Sequence, residues 1–282
     1  MGSRLRLNGR DYRAEVFFPN QLALAPQQSE AYLNPAFAAA LALKEGAFLD
    51  VGANIGQTLL TLLTLDAERH YVGFEPQLDC AFYIQRFIEQ NRLPRHSILP
   101  IALSNRSGLT ELFRRSVQTD TTASTIRGFR SDDFYGKADW VPLVKGDQVV
   151  SDLGLSTIGV LKVDVEGGEL EVLEGFRDSL SSHRPFVFFE VLNHFLVVGR
   201  KPLDPETVAF REARVAKLES LLRDAGFAIF NVLPDHALEL QRIQPKVSAD
   251  LKLTNYVAAP KDMASEFSRT LHGLMGKNGR SD

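Results

Sequence analysis

The stretch that most constrains this chain is residues 47–57, Ala-Phe-Leu-Asp-Val-Gly-Ala-Asn-Ile-Gly-Gln. Ala47 to Val51 is a short, mostly apolar run that fits a buried parallel strand. Gly52, Ala53, Asn54, Ile55 and Gly56 make a turn of small residues, and apolar residues then recur at helical spacing from Gln57 to Leu65. A strand, a tight glycine turn and a helix form a cradle for a nucleotide-like ligand. The backbone must approach such a ligand closely, and glycine leaves the room.

The next segment extends the pattern. His70 to Phe74 has the composition of a second buried strand, and Glu75 stands at its end, followed by Pro76. Glu75 lies 23 positions after Gly52 (75 − 52). An acid about 20 positions past the glycine turn, at the tip of the second strand, is placed to accept hydrogen bonds from both hydroxyls of a ribose. The alternative for a lone glutamate is a solvated loop position.

Asp50-Val-Gly-Ala-Asn-Ile-Gly56 with Phe74-Glu75-Pro76 resembles the cofactor half of class I S-adenosylmethionine-dependent methyltransferases. Leu161-Lys-Val-Asp-Val-Glu-Gly-Gly-Glu169, followed by Glu171-Val-Leu-Glu-Gly175, resembles the FkbM family of methyltransferases in particular. The resemblance spans roughly residues 30 to 260. It implies an α/β, Rossmann-like fold, with a mostly parallel seven-stranded sheet, helices on both faces and an antiparallel last strand. It implies S-adenosyl-L-methionine as cofactor, S-adenosyl-L-homocysteine as product, and O-methylation of a small hydroxylated acceptor such as a sugar, a polyketide or another secondary metabolite. In that reading Asp50 sits under the methionine end, with Gly52, Ala53, Asn54, Gly56, Glu75 and Pro76 around the cofactor. Ala102, Leu103 and Ser104 meet adenine, and Asp164 closes the pocket. Glu166 faces the acceptor.

The remaining elements follow in order. Tyr12 to Phe18 is expected as an edge strand and Glu30 to Leu43 as a leading helix, so residues 1–45 form an extension before a domain at 46–260. A helix is expected from Asp79 to Asn91 with Asp79 as cap, and a third strand from Ile98 to Leu103. Leu109 to Arg114 alternates like a strand whose partner lies between Trp140 and Val144. Residues 115–139 between them are polar, the length and character of a lid or substrate loop. Within that loop Ser124 and Thr125 are candidates for the acceptor or the cofactor carboxylate, and Arg127 and Arg130 for an anionic acceptor. Asp147 to Leu155 leads to a fourth strand at Ile158 to Val165, then a helix at Glu169 to Leu180 and a fifth strand at Phe186 to Val191. A helix from Leu203 to Ala225, capped by Asp204 with Pro205 at its first position, precedes strands at Phe227 to Val232 and Leu253 to Ala258. Residues 261–282 are expected to add one short helix and a disordered end from Gly276.

In an open parallel sheet, ligands sit at the carboxyl ends of the strands. Those ends are acidic here: Asp50, Glu75, Asp164, Glu166 and Glu190. A hydroxyl is a poor nucleophile while protonated, so a general base helps, typically by about 10²–10⁴-fold. Candidates are Glu166 first, with two glycines behind it that let a substrate approach, then His194, Asp164 and Glu190, with Asn193 as an acceptor contact. Asp164, Glu166, Glu190 and His194 together also have the ligand chemistry for a divalent cation, although their spacing matches no recognised metal motif.

Composition sets the outer bounds. A net charge of −3 gives no reason to expect nucleic acid as partner, and no apolar run is long enough for a membrane span. The single cysteine, Cys80, and the absence of a secretion-like start suit a reducing, cytoplasmic setting. Two other functions remain open at this point. One is a nicotinamide-dependent oxidoreductase, disfavoured because Asn54 and Gln57 interrupt the full Gly-x-Gly-x-x-Gly spacing. The other is a catalytically inactive, cofactor-binding interaction module.

Overall fold

The structure, a computed structural model, describes residues 2–15, 30–114, 123–126, 137–192, 204–245 and 250–278. Its centre is a sheet of eight strands. Ala47–Val51 (β3), Tyr71–Phe74 (β4), His96–Leu99 (β5), Ile158–Val163 (β9) and Phe186–Glu190 (β10) run parallel. Asn255–Pro260 (β13) inserts antiparallel between β10 and Phe227–Val232 (β11), and Ala237–Leu240 (β12) closes that edge. The order across the sheet is β12-β11-β13-β10-β9-β3-β4-β5.

Strand alternation divides the apolar residues between two cores. Phe48, Val160, Phe186, Phe188, Phe230 and Val257 face one side, and Leu49, Leu161, Val163, Val187, Phe189 and Ile229 the other. The first side is covered by Asn34–Leu43 (α1), Gln57–Leu65 (α2), Leu78–Gln90 (α3) and Ala264–Asn278 (α8), which contribute Phe37, Leu59, Ile84 and Phe267. The second is covered by Gly146–Asp152 (α4), Glu169–Gly175 (α5), Arg177–His183 (α6) and Pro205–Asp224 (α7), which contribute Val149, Leu173, Leu180 and Leu222. Runs that are apolar at successive residues therefore become central strands buried on both faces, as expected for β3, β9 and β10. Helix α7 is capped as its sequence implies: Asp204 accepts a hydrogen bond from Thr207 N at 2.8 Å.

Two smaller sheets flank this one. Gly2–Leu7 (β1) and Arg10–Glu15 (β2) form a hairpin, whose Tyr12 stacks on Phe87 of α3. Ala102–Ser104 (β6), Gly108–Arg114 (β7) and Lys137–Lys145 (β8) form a three-stranded sheet in the order β6-β8-β7.

The sequence expectations need six corrections. The main sheet has eight strands, not seven, because β12 is a four-residue edge strand with exposed middle residues, too short for its periodicity to announce it. The expected third strand from Ile98 to Leu103 is two strands in different sheets. Pro100 lacks the N–H a ladder needs, so the chain leaves the main sheet after Leu99. The expected helix from Glu169 to Leu180 divides at Gly175, where a Cβ would stand 2.0 Å from the carbonyl oxygen of Ser104. Asp79 lies in the first turn of α3, and Gln77 occupies the cap position. Residues 137–139 belong to β8 rather than to a loop, and α8 runs through Gly276 to Asn278. Of the expected loop, 115–122 and 127–136 lie outside the described residues, as do 16–18 of the expected edge strand. Cys80 is buried in α3, and burial pushes its thiol up to about 12, in keeping with a core position.

Candidate active site

The turn after β3 is shaped by one close approach. Gly52 has a φ of +85°, and a Cβ there would lie 1.9 Å from the carbonyl oxygen of Asp164 on the neighbouring strand end. No side chain fits that space. Gly52 N and Ala53 N both donate to the carbonyl oxygen of Phe74, at 2.9 and 3.1 Å, which ties the turn to the end of β4. Asn54 takes a φ of +51° and Gly56 of +91°, turning the chain into α2.

Glu75 is buried at this junction. Its Oε2 accepts from Asn54 N at 2.8 Å and its Oε1 from Gln77 N at 2.8 Å. Burial pushes the carboxyl up to about 7, against the pull of the two backbone donors. A carboxylate has about four acceptor positions, so two remain for hydroxyl donors from a ligand. Glu75 lines a cleft together with Gly52, Asn54, Pro76, Asp164 and Glu166. Ala102 and Leu103 form its apolar wall with Ile101 and Leu112, and Thr125 stands at its edge.

A second opening continues from the same turn and shares Gly52, Asn54 and Asp164 with the first. Here Lys162 lies among three carboxylates. Its Nζ is 3.1 Å from Asp164 Oδ2 and 3.7 Å from Asp50 Oδ1, and Glu30 lines the same opening. Burial works to lower the pKa of Lys162, but Asp164, Asp50 and Glu30 outweigh it and hold the ammonium firmly charged. Asp50 is fully buried; Tyr71 donates a hydroxyl hydrogen bond to its Oδ2 at 2.8 Å, and burial raises its pKa. Burial, then the charge of Asp164, raises Glu30 likewise.

The turn after β9 carries the other acids. Glu166 adopts a φ of +56°, in the left-handed region that a side chain seldom occupies. Glu169 Oε1 accepts from Val165 N at 3.1 Å and Gly167 N at 3.2 Å, and burial pushes this carboxyl up to about 7. Glu190, at the end of β10, accepts the hydroxyl of Thr254 at 2.7 Å. Burial, followed by the negative charges of Asp164 and Glu166, raises it well above the usual carboxylate range. Such an arrangement can hold a polar ligand along the strand ends and supply a carboxylate of raised basicity near its far end.

Residues 50–229 match the Methyltransferase FkbM domain. The chain belongs to the FkbM methyltransferase family. It is 27% identical over 185 residues to the hexuronic acid methyltransferase AglP of Haloferax volcanii, covering 64% of this chain and 68% of that protein. It is 25% identical over 165 residues to the 2-O-methyltransferase NoeI of Sinorhizobium fredii, covering 55% of this chain and 67% of the relative. A crystal structure of methyltransferase FkbM from Methylobacillus flagellatus KT aligns with 16% identity and a TM-score of 0.44, over 76% of this chain and 43% of that one.

In this methyltransferase the sequence-derived residues divide into four groups. Gly52, Ala53, Asn54, Glu75, Pro76, Ala102, Leu103, Thr125, Asp164 and Glu166 line the two connected openings. Asp50, Gly56, Ser104 and Ser124 do not. Asp50 lies beneath, linked through Lys162; a Cβ on Gly56 would meet Ile84; Ser104 is buried; and Ser124 pairs with Phe113 and accepts from Ile126 N at 3.1 Å. Glu190 lines an adjoining opening with Gly167 and Arg214. Asn193, His194, Arg127 and Arg130 lie outside the described residues. Among the described residues, no three His, Cys, Asp or Glu side chains converge as a metal site, and no helix is long and apolar enough to cross a membrane.

Sequence reasoning gave no role to Lys162 or Glu30. A signal for Lys162 existed: it is the one charged residue within the apolar run Ile158 to Val163, and a lysine inside a doubly covered strand requires partners. Glu30 had none, because it reaches the site from a segment distant in sequence.

Proposed function

We propose that this methyltransferase uses S-adenosyl-L-methionine to methylate a hydroxyl oxygen of a small-molecule acceptor. The observation that carries the reading is the junction of Gly52 and Glu75: a turn with no room for a Cβ, facing a buried carboxylate with acceptor positions to spare. Those are the features a nucleoside needs at a strand end. Glu75 would take the ribose hydroxyls, Ala102 and Leu103 would flank the adenine, and the opening around Asp164 and Lys162 would receive the amino-acid end. The three carboxylates around Lys162 exceed its one positive charge, which favours a cationic ligand there.

The cofactor supplies a methyl group already activated by positive sulfur, which passes to the acceptor oxygen as the carbon–sulfur bond breaks and its electron pair stays on sulfur. The protein's work is alignment and proton removal, and alignment alone can contribute about 7–11 kcal/mol. Glu166 is assigned as the base that takes the hydroxyl proton. It lines the cleft beside Asp164, and its left-handed backbone is a strained conformation of the kind that collects at working positions. Glu190, adjacent and of raised basicity, is the second carboxylate available to that proton. Oxygen as the accepting atom is supported by the relative NoeI, named a 2-O-methyltransferase, and a sugar acid as acceptor class by the relative AglP.

The test is calorimetry with S-adenosylhomocysteine and with NAD, followed by transfer of a labelled methyl group to a panel of hydroxylated acceptors. Binding of S-adenosylhomocysteine with labelled ether products supports the reading. Binding of NAD alone would overturn it in favour of hydride transfer, and cofactor binding with no transfer to any acceptor would favour a non-catalytic module.

A further inference from the structure

A groove of about 400 Å³ opens next to the cofactor cleft and shares Pro76, Gln77 and Leu112 with it. Its wall carries Trp140 of β8, the only tryptophan in the chain, left 70% exposed. Leu78, at the start of α3, is 70% exposed in the same groove. A large aromatic face gains most from being covered, so one left open beside an active-site cleft is a platform for a ligand ring. The walls are stiff, since Pro76, Pro100 and Pro142 fix their backbone φ angles.

Polar groups stand beside the platform. Arg114 and Asp139 pair at 2.6 Å across β7 and β8, with 26% and 36% of their side chains exposed. Arg114 Nε is buried with no hydrogen-bond partner among the described residues. An aromatic face, an adjoining apolar side chain and a charged donor–acceptor pair match the surface of a pyranose. Its C–H face carries partial positive charge that seeks the negative face of an aromatic ring, while its rim of hydroxyls both donates and accepts. The volume lies in the range of about 300–1,000 Å³ typical of small-ligand sites. A protein partner would instead call for a flat patch of about 800 Å² per side.

We propose that the Trp140 groove binds a sugar ring of the methyl acceptor other than the ring that is methylated. The acceptor is then an oligosaccharide or a glycoconjugate, held at two places, rather than a free monosaccharide. The inference rests on reading the adjoining cleft as the S-adenosylmethionine site, because the groove meets that cleft at the Glu75 end, away from Glu166.

Because Trp140 is the sole tryptophan, its fluorescence reports this groove alone. The full chain is titrated with cellotetraose and tetragalacturonate, with glucose, galacturonate and UMP as comparisons. A saturable blue shift is expected from at least one tetrasaccharide, and none from the monosaccharides or UMP. By calorimetry, Trp140→Ala should weaken binding of that tetrasaccharide by roughly tenfold, with Trp140→Phe retaining most of it. Both variants should bind S-adenosylhomocysteine as the parent chain does. The proposal is overturned if the free protein already shows a blue-shifted, covered tryptophan, if UMP alone responds, if neither tetrasaccharide responds, or if Trp140→Ala binds sugar normally. Failure of S-adenosylhomocysteine to bind the parent chain counts instead against the reading of the cofactor cleft, and leaves the sugar readout interpretable.

Discussion

The turns after β3 and β9 stand at neighbouring strand ends, and each is clamped by a buried glutamate. Glu75 takes the N–H groups of Asn54 and Gln77; Glu169 takes those of Val165 and Gly167. Burial pushes both carboxyls up to about 7. The glycines differ. A Cβ on Gly52 would strike the carbonyl of Asp164 at 1.9 Å, while one on Gly168 would find its nearest neighbour, Val165 Cγ2, at 3.3 Å, with φ at an ordinary −93°. The first turn therefore has its shape imposed by close backbone approach. The second is held by its glutamate and displays a strained acid, Glu166, toward the cleft. An acid at a strand end is thus not a site in itself. What counts is the backbone facing it and the lone pairs it has left.

The largest effect expected is on the second turn. Glu166→Gln should lower turnover by about 10²–10⁴-fold, with S-adenosylhomocysteine affinity unchanged by calorimetry. A small loss of turnover would move the base to Glu190 and weaken the contrast between a turn for binding and a turn for chemistry.

The glycine pair comes next. Gly52→Ala should cost about 3 kcal/mol in S-adenosylhomocysteine binding, roughly a hundredfold, because strand ends must separate or the turn must change. Gly168→Ala should cost less than about 1 kcal/mol. Equal losses at the two positions would erase the distinction between the turns.

The two clamping glutamates separate stability from binding. Glu169→Ala leaves two backbone donors without their acceptor, so thermal unfolding should show a loss of about 2 kcal/mol. Glu75→Gln keeps the shape but removes the charge and sets an NH2 donor against one of the two backbone N–H groups; it should weaken S-adenosylhomocysteine about tenfold and cost about 1 kcal/mol in unfolding.

The pH dependence comes last. Burial raises the pKa of Glu75 to about 7, so it holds its proton below that point and, as the proposed ribose acceptor, would accept hydroxyls fully only above it. Affinity for S-adenosylhomocysteine should rise about tenfold from pH 6 to pH 8. Glu75→Gln should flatten that rise; an equal slope in the variant would assign the titration to another acid of the rim.

The sequence was most readable where both faces of a strand are covered. β3, α2 and β11 begin and end where periodicity placed them, because apolar runs flanked by glycine leave few alternatives. It was least readable where the outcome depends on a distant neighbour. Gly175 stands where only a glycine lets the carbonyl of Ser104 approach, and β12 is a four-residue edge strand defined by its pairing with β11. In the site, the Gly52–Glu75 junction follows from local order along one strand–turn–helix–strand unit. The Lys162 cluster does not, because its carboxylates come from β3, the end of β9 and the segment before α1.

The central claim is that the Gly52 turn and Glu75 together hold S-adenosylmethionine at the carboxyl end of the sheet. A crystal structure with S-adenosylhomocysteine tests it most directly. Ribose hydroxyls on the Glu75 carboxylate, with the sulfur directed toward Asp164 and Glu166, are the expected result. A ligand bound away from this junction, or one that leaves Glu75 untouched, would contradict the account.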